Sequence, residues 1–543
     1  MRSWRLLERL SIWARSSGRA CNVVEMAPEL APYVKWSRQL YFCEAFSRIE
    51  PWQERKYGFG DVKIYDSLLH HAFKAVTCNF TYDQVFDIYA IDALAHVFPG
   101  DRLDPVGIPS DTIDMYRGSF AERAISARPA YRLQRALSNL LIAGGALAWS
   151  WLEIVKRIRP LRSGRSIFCM LDALGNKVEH NVLEELHDGG SVVILDRRTP
   201  GAAGEWNVDA YERCRWGEGY FGIVDGFVIL GESARDIFRL WRCHRTISLA
   251  HFIAIIMLPL KRAKWRALFT QYRTKHYLGR DEYNPDHILR RSELHRIGGV
   301  SHGWSGGIYT AYARIAPNAR YISFDHYYCI GTGLFETFRS RWPNDMAAHS
   351  VGSFGFPRDM INAGWPRGDV VLVAMRIAFG EPEYHRMVHM LSRAFPDRSI
   401  VVQIKSVEFL AKGDRVAIVE ALTVACPNVV STDRSIYDLM SLAACMVSDI
   451  STIVSEGIHL GIPTYVADLV DQDYCVYREF PGLCIRSAEA LVAAVGSVLN
   501  DPTSYPFDDF RRRMNLDISV GYDVVRRQMG LSPVGQPKTA QTC

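Results

Sequence analysis

The stretch from Met446 to Asp468 admits few folds. An apolar run, Cys445 to Val447, meets a polar turn, Ser448-Asp449-Ile450-Ser451-Thr452. Ile453, Val454, Ile458 and Leu460 then recur at helical spacing, and Gly461 suits a helix C-terminus. Pro463 bars continuation, and Thr464 to Val466 reads as the next strand. Strand, turn, helix, turn and strand form the unit from which parallel sheets wrapped by helices are built. Hydroxyls and amides at the start of such a helix make an anion site, and phosphate is its usual occupant. Ser448, Asp449, Ser451 and Thr452 are therefore candidate donor-binding residues. Glu456, early in the helix, could take ribose hydroxyls. The same polar residues would serve equally well as helix caps.

The alternation extends over much of the chain. Strands are predicted at Ser166–Leu171, Ser191–Leu195, Gly222–Leu230, Tyr321–Phe324, Gly368–Met375, Ser399–Ile404 and Pro427–Ser431. Helices are predicted at Val178–Leu186, Ala234–Trp241, Pro285–Arg296, Pro382–Phe395 and Ser435–Leu442. The fold class is α/β, with parallel sheets in two Rossmann-like domains. In such sheets ligands sit beyond the carboxyl ends of the strands. Arg376, Lys405 and the Ser448–Thr452 turn all fall at such ends, a set of cations and donors suited to a diphosphate. A second constellation is Ser301-His302-Gly303-Trp304-Ser305-Gly306-Gly307, read as a Gly-rich turn that exposes the His302 imidazole before a helix over Ile308–Ile315. Asp325 to Tyr328 reads as an aromatic turn.

A chain of 543 residues is too long for one core. Its net charge of +5 comes without a basic tail, zinc-finger spacing or RNA-motif signature, which argues against a nucleic-acid partner. Twelve cysteines without a Cys-x-x-Cys pair read as reduced thiols in a cytosolic setting. Trp4–Trp13 reads as a short amphipathic helix, and residues 1–160 as a mainly helical extension. Two segments bear on membranes. Ala136–Leu152 has no charged side chain and is followed by Lys156, Arg157, Arg159 and Arg162; Ile247–Leu260 runs into Lys261, Arg262, Lys264 and Arg266. Each fits a buried core helix, and together they also fit an apolar-basic face lying on an anionic membrane surface. A full span at Ala136–Leu152 is short for a bilayer. The tail from Pro533 has the composition of a disordered segment.

The Ser-Asp-x-Ser turn and the helix ending in Gly461-Ile462-Pro463 resemble the donor half of GT-B-type glycosyltransferases. The likeness is nearest to the CDP-glycerol glycerophosphotransferase and capsule or surface-polysaccharide transferase group. It implies an acceptor-side domain over 161–340 and a nucleotide-donor-binding domain over 341–532, with the crossing near Phe354-Gly355-Phe356-Pro357-Arg358-Asp359. By the family's His-Gly pair, His302 is the candidate general base, and Asp281 or Glu282 could orient it. The resemblance implies transfer of a sugar or polyol phosphate from a nucleotide-sugar or CDP-polyol donor to a glycan or lipid-linked acceptor. It implies neither metal nor cofactor, and a cytoplasmic, peripheral position on the inner face of the plasma membrane. The chain departs from the family where its strand ends Lys405-Ser406-Val407-Glu408, with Val407 in place of the family histidine. A UDP-sugar 2-epimerase-like enzyme and a non-catalytic scaffold of polysaccharide assembly are the alternatives.

Overall fold

The computed structural model describes residues 72–77 and 132–533, apart from 161–163, 174–176, 187–188, 198–210, 246, 248, 281–284, 306–320, 340–341, 359–360, 362–367, 376–381, 405–411, 433, 450, 470–475, 481 and 517–520. The expected helices Trp4–Trp13 and Ile308–Ile315 lie outside the described residues, as do residues 174–176 and the tail beyond 533.

Two parallel sheets organise the chain. The first contains β1 (Arg165–Ala173), β2 (Val192–Asp196), β3 (Arg213–Arg215), β4 (Tyr272–Gly279), β5 (Val300–Trp304), β6 (His326–Cys329) and β7 (Ala347–Ser350). They lie in the order β3-β2-β1-β4-β5-β6-β7, every pair parallel. The second contains β8 (Val370–Met375), β9 (Ile400–Ile404), β10 (Val429–Ser431), β11 (Ala443–Ser448), β12 (Thr464–Ala467) and β13 (Cys484–Ile485). Its order is β10-β9-β8-β11-β12-β13, again parallel throughout. Both orders begin 3-2-1-4-5-6 when each sheet is counted from its own first strand, which is the Rossmann order. The fold is two Rossmann-like domains. A strand covered on both faces has no polar side to alternate with, and Val370–Met375 is accordingly apolar and buried at every position.

Helices cover the first sheet: α1 (Arg132–Val155), α2 (Lys177–Glu184), α3 (Ile223–His244), α4 (Leu249–Ile256), α5 (Leu258–Gln271) and α6 (Asp286–His295). The strand expected at Gly222–Leu230 is instead the first part of α3, which runs on through Ala234–Trp241. Short apolar runs suit either element, and here an unbroken helical span of 22 residues decided it. The expected Tyr321–Phe324 strand is also displaced, and the supposed aromatic turn is β6 itself, because His326, Tyr327, Tyr328 and Cys329 alternate between the two faces of the sheet. The second Ala/Ile-rich segment forms two helices that meet at Met257, with Pro259 in the first turn of α5, where its missing N–H costs nothing.

The chain crosses between the lobes after β7 and returns near its C-terminus. Between β7 and β8, Phe354 enters the core of the first lobe beside Tyr328, and Phe356 enters that of the second beside Val370 and Leu439. Near the C-terminus, α7 (Ile453–Leu460) and α8 (Phe507–Met514) belong to the second lobe, and α9 (Gly521–Gln528) returns to the first. Tyr522, Val525 and Met529 pack there on Leu171, Leu278 and Trp304. The Tyr522 hydroxyl donates to the Phe356 carbonyl at 2.7 Å, and Arg358 reaches Glu185 at 2.7 Å and Asp523 at 2.8 Å. Gly352, at φ +73°, lies where an added Cβ would sit 2.2 Å from His459 Nε2. Only glycine meets both the backbone angle and the close approach.

Candidate functional site

In both sheets the strand order reverses between the first and fourth strands, at β1/β4 and at β8/β11. A crevice opens at such a reversal because the connecting helices leave in opposite directions. The carboxyl ends of β1, β4, β8 and β11 are therefore the places to examine. The two carboxyl edges share a boundary. Ser353, just past the end of β7, donates its hydroxyl to Glu456 Oε1 at 2.9 Å, and its N–H donates to His459 Nδ1 at 3.3 Å. Both partners lie on α7, the helix that follows β11.

At the second reversal β11 ends at Ser448, and α7 begins at Ile453. Ser448 and Asp449 are buried, and the Ser448 hydroxyl has no hydrogen-bond partner among the described residues. Ser451 and Thr452 are partly exposed. Thr452 occupies the N-cap position without bonding any helix amide through its side chain. Ser451 Oγ stands 3.5 Å from the Ile453 N–H, a long contact. The Val454 N–H reaches the Ser451 carbonyl at 3.4 Å, so the first amides of α7 are met only by long contacts to Ser451, and the Thr452 side chain adds none. The turn is braced from behind: the Tyr477 hydroxyl donates to the Ser451 carbonyl at 2.9 Å and lies 3.1 Å from Ser455 Oγ. Burial and then the carboxylates of Asp449 and Asp468 push the Tyr384 phenol upward, so it stays a donor, to the Ala467 carbonyl at 2.9 Å. Glu456 engages the interlobe segment through Ser353. Arg376 follows directly on β8 and Lys405 on β9; both side chains lie outside the described residues, as do Asp281, Glu282 and Val407.

At the first reversal Asp172, next to last in β1, is buried. The Tyr277 hydroxyl donates to its Oδ2 at 2.9 Å, Arg197 Nε lies 3.0 Å from Oδ1, and Arg290 approaches to 3.7 Å. The fully buried Arg290 guanidinium stacks on Tyr277, 4.2 Å from the ring centroid, and near Trp265. Gly279 closes β4 against this group, with Asp172 Cβ 3.1 Å from where its own Cβ would stand. Arg197, Tyr277 and Arg290 come from separate elements, and no local pattern in the sequence groups them with Asp172.

His302 corrects an expectation. It sits not before an open turn but in the middle of β5, and it is fully buried. The face it occupies is the one that α9 covers. It belongs to a row of imidazoles crossing four adjacent strands: His276, His302, His326 and His349. His302 is in register with His326, and Tyr328 with His349. His302 Nε2 is 3.0 Å from His276 Nδ1, His302 Nδ1 is 2.8 Å from the Tyr328 hydroxyl, and His326 Nδ1 is 3.1 Å from His349 Nε2. The His302 and His326 rings stack at 5.1 Å. Burial, then neighbouring positive groups, lowers His276 to about 4; burial and His326 lower His349 to about 4. Burial, His276 and His326 hold His302 well below its ordinary value. The row is therefore neutral near pH 7, because one proton on any member would meet low dielectric and close neighbours. Beneath it, burial would raise Asp325, but hydrogen bonds from His295 and Ser301 and the charge of Arg291 override this and hold the carboxyl below its usual range. The signal was in the sequence: each of β4 to β7 carries one histidine. Only the register aligns them. Among the described residues, no group of three or more His, Cys, Asp or Glu side chains could hold a metal ion.

No protein-family model and no curated protein matches the chain. Among solved structures, UDP-GlcNAc 2-epimerase from Neisseria meningitidis is similar at 12% identity and a TM-score of 0.41, over 67% of this chain and 99% of that one. The wall teichoic acid polymerase TagF is similar at 11% identity and 0.39, over 74% and 97%. A calicheamicin glycosyltransferase is similar at 16% identity and 0.37, over 68% and 100%. Identities this low say nothing about chemistry.

Proposed function

We propose that the protein is a transferase that moves a sugar or polyol phosphate from a nucleotide-activated donor to a hydroxyl of a glycan or lipid-linked acceptor. One observation carries the reading: the start of α7, whose first amides are met only by long contacts to Ser451, coincides with the strand-order reversal of the second sheet. Amides at a helix start favour a phosphate, and the reversal is where an α/β sheet opens to a ligand. Arg376 and Lys405, each one residue past a strand end, would add the cations that a departing diphosphate needs. Neither a metal nor a cofactor enters this scheme. His302 would accept the acceptor's proton. Both its ring nitrogens are engaged within the sheet, by His276 on β4 and by the Tyr328 hydroxyl on β6, so this role requires one of those hydrogen bonds to open.

Nucleotide binding tests the donor half. A nucleoside diphosphate or a CDP-polyol at about 100 times its Kd should stabilise the fold by about 2.7 kcal/mol, read as a rise in unfolding temperature. The double variant Ser451→Ala/Thr452→Ala should lose most of that rise. An unchanged rise in the variant removes the helix start from donor binding. Incubation with UDP-N-acetylglucosamine alone should leave it unaltered; conversion without acceptor would instead indicate an epimerase.

The proposal includes a membrane surface. By length and composition Leu133–Val155 could cross a bilayer. It also packs along α3 and α4, with buried Asn139 donating to the Arg245 and Ile247 carbonyls at 3.0 Å. Its other side exposes Leu133, Leu137, Leu141 and Leu152, and α3 exposes Val224 and Phe227. With exposed Lys156 close by, this is the apolar-basic composition that lies on an anionic leaflet, which argues for a peripheral, cytoplasmic-face enzyme. Leu141→Glu/Phe227→Glu should abolish co-flotation with phosphatidylglycerol vesicles while leaving nucleotide binding intact. Retained flotation would detach this surface from the scheme.

A further inference from the structure

A cavity of about 690 Å³ lies at the β7 edge of the first sheet, away from both strand-order reversals. Its walls come from three parts of the chain: Thr332, Arg339, His349 and Ser350 from the first lobe; Arg511, Arg512 and Asn515 at the end of α8; and Arg527 on α9. Among the described residues, four arginines and no aspartate or glutamate line it. The charge is only partly answered. Arg512 pairs with Asp509 at 2.7 Å and Arg339 with Glu336 at 3.4 Å, both exposed contacts of the kind that contribute little. Arg511 uses one nitrogen to cap α7 through the Ile458 carbonyl at 3.0 Å, and its Nε has no partner among the described residues. Arg527 has no ion pair among the described residues.

The walls are fixed. An added Cβ on Gly331 or Gly333 would stand 2.4 Å or 2.6 Å from backbone oxygens of Met514 and Arg513. Asn515 takes φ 47° and donates to Thr332 Oγ1, which also accepts from Ser350 Oγ at 3.1 Å. A polar pocket lined by four arginines, with no acid among its described lining residues, is what a multiply charged phosphoryl anion binds, because each planar fork matches two phosphoryl oxygens.

We propose that this cavity is an anion site for a diphosphate-class group, distinct from the donor site at α7. The inference does not depend on the proposed transferase chemistry. The diphosphate could be free in solution or carried on a lipid, and the test separates these sources. Isothermal titration of the full chain with inorganic pyrophosphate should give a binding isotherm that weakens with salt. Arg512→Gln/Arg527→Gln, both surface changes, should weaken it by at least about tenfold, the scale of one charge-assisted contact. Ser451→Ala/Thr452→Ala should leave the cavity's share of binding unchanged. A preference for phosphatidylcholine vesicles doped with farnesyl diphosphate over pyrophosphate, abolished by the arginine pair, assigns the lipid-borne form; the reverse preference assigns the free one. Absence of pyrophosphate binding, or binding lost only with the Ser451/Thr452 pair, overturns the site. Nucleotide binding in the arginine variant is read separately, so failure here leaves the donor reading standing.

Discussion

Replacing His302 by alanine should stop transfer, spare nucleotide binding and lower the unfolding temperature. Two partners, His276 Nδ1 and the Tyr328 hydroxyl, would lose their hydrogen bonds inside a closed core. An orphaned buried polar group costs about 1–3 kcal/mol, and the missing ring leaves a cavity besides. A total loss of roughly 3–5 kcal/mol would follow, a shift of order ten degrees for a lobe of this size. Loss of a general base lowers turnover by roughly 10²–10⁴-fold. The two effects are separable. Tyr328→Phe removes the same hydrogen bond but keeps the imidazole, so it should cost about 1 kcal/mol and leave turnover within about tenfold. Measured below the melting range, turnover retained in His302→Ala would make the residue a core group and nothing more.

Acidification should destabilise the first lobe across a window that the imidazole row defines. In the unfolded chain a histidine titrates near 6.5. In the fold, His276 and His349 titrate at about 4. Between those values the unfolded state binds protons that the folded state refuses, so stability falls as pH drops from about 6.5 toward about 4 and is at its full value above that window. His276 alone should account for roughly 2 kcal/mol between pH 6.5 and 5; His349, less buried, contributes less because solvent screens it. Asp325 shifts in the same direction but titrates in a lower range. Its lowered carboxyl favours the fold above the ordinary carboxylate range and loses that contribution only at lower pH. Thermal unfolding followed across pH 7 to 4 checks the window. His276→Gln should flatten the profile, and a wild-type midpoint that does not move between pH 7 and 5 would sink the account.

The α7 unit was legible because its signals are local. Gly461, at φ +81°, ends the helix where the sequence expects glycine, and β11 and β12 flank it as parallel neighbours. Strands buried on both faces announce themselves as apolar runs, so β8 and β9 were visible as well. Failures arose where a short pattern suits two structures. The Ile/Val-rich start of α3 has strand composition, and the chain Asp325 to Tyr328 has turn and aromatic residues that in fact line a strand. His302 failed for a different reason. Its neighbours in sequence are glycines, which suggest an open turn, but its neighbours in space are His276, His326, Tyr328 and the returning helix α9, more than 200 residues further on.

Periodicity, turn residues and the polar run at Ser448–Thr452 by themselves determined a parallel α/β chain with a polar turn leading into α7, since those are properties of a few adjacent residues. Strand order, register and the return of the C-terminus decided the rest. They set four histidines in one row, joined Asp172 to Arg197 and Arg290, and gathered arginines from three segments around one cavity. Such groupings depend on which strands become neighbours, and that choice is made by burial across the whole lobe, not by any stretch of chain short enough to read.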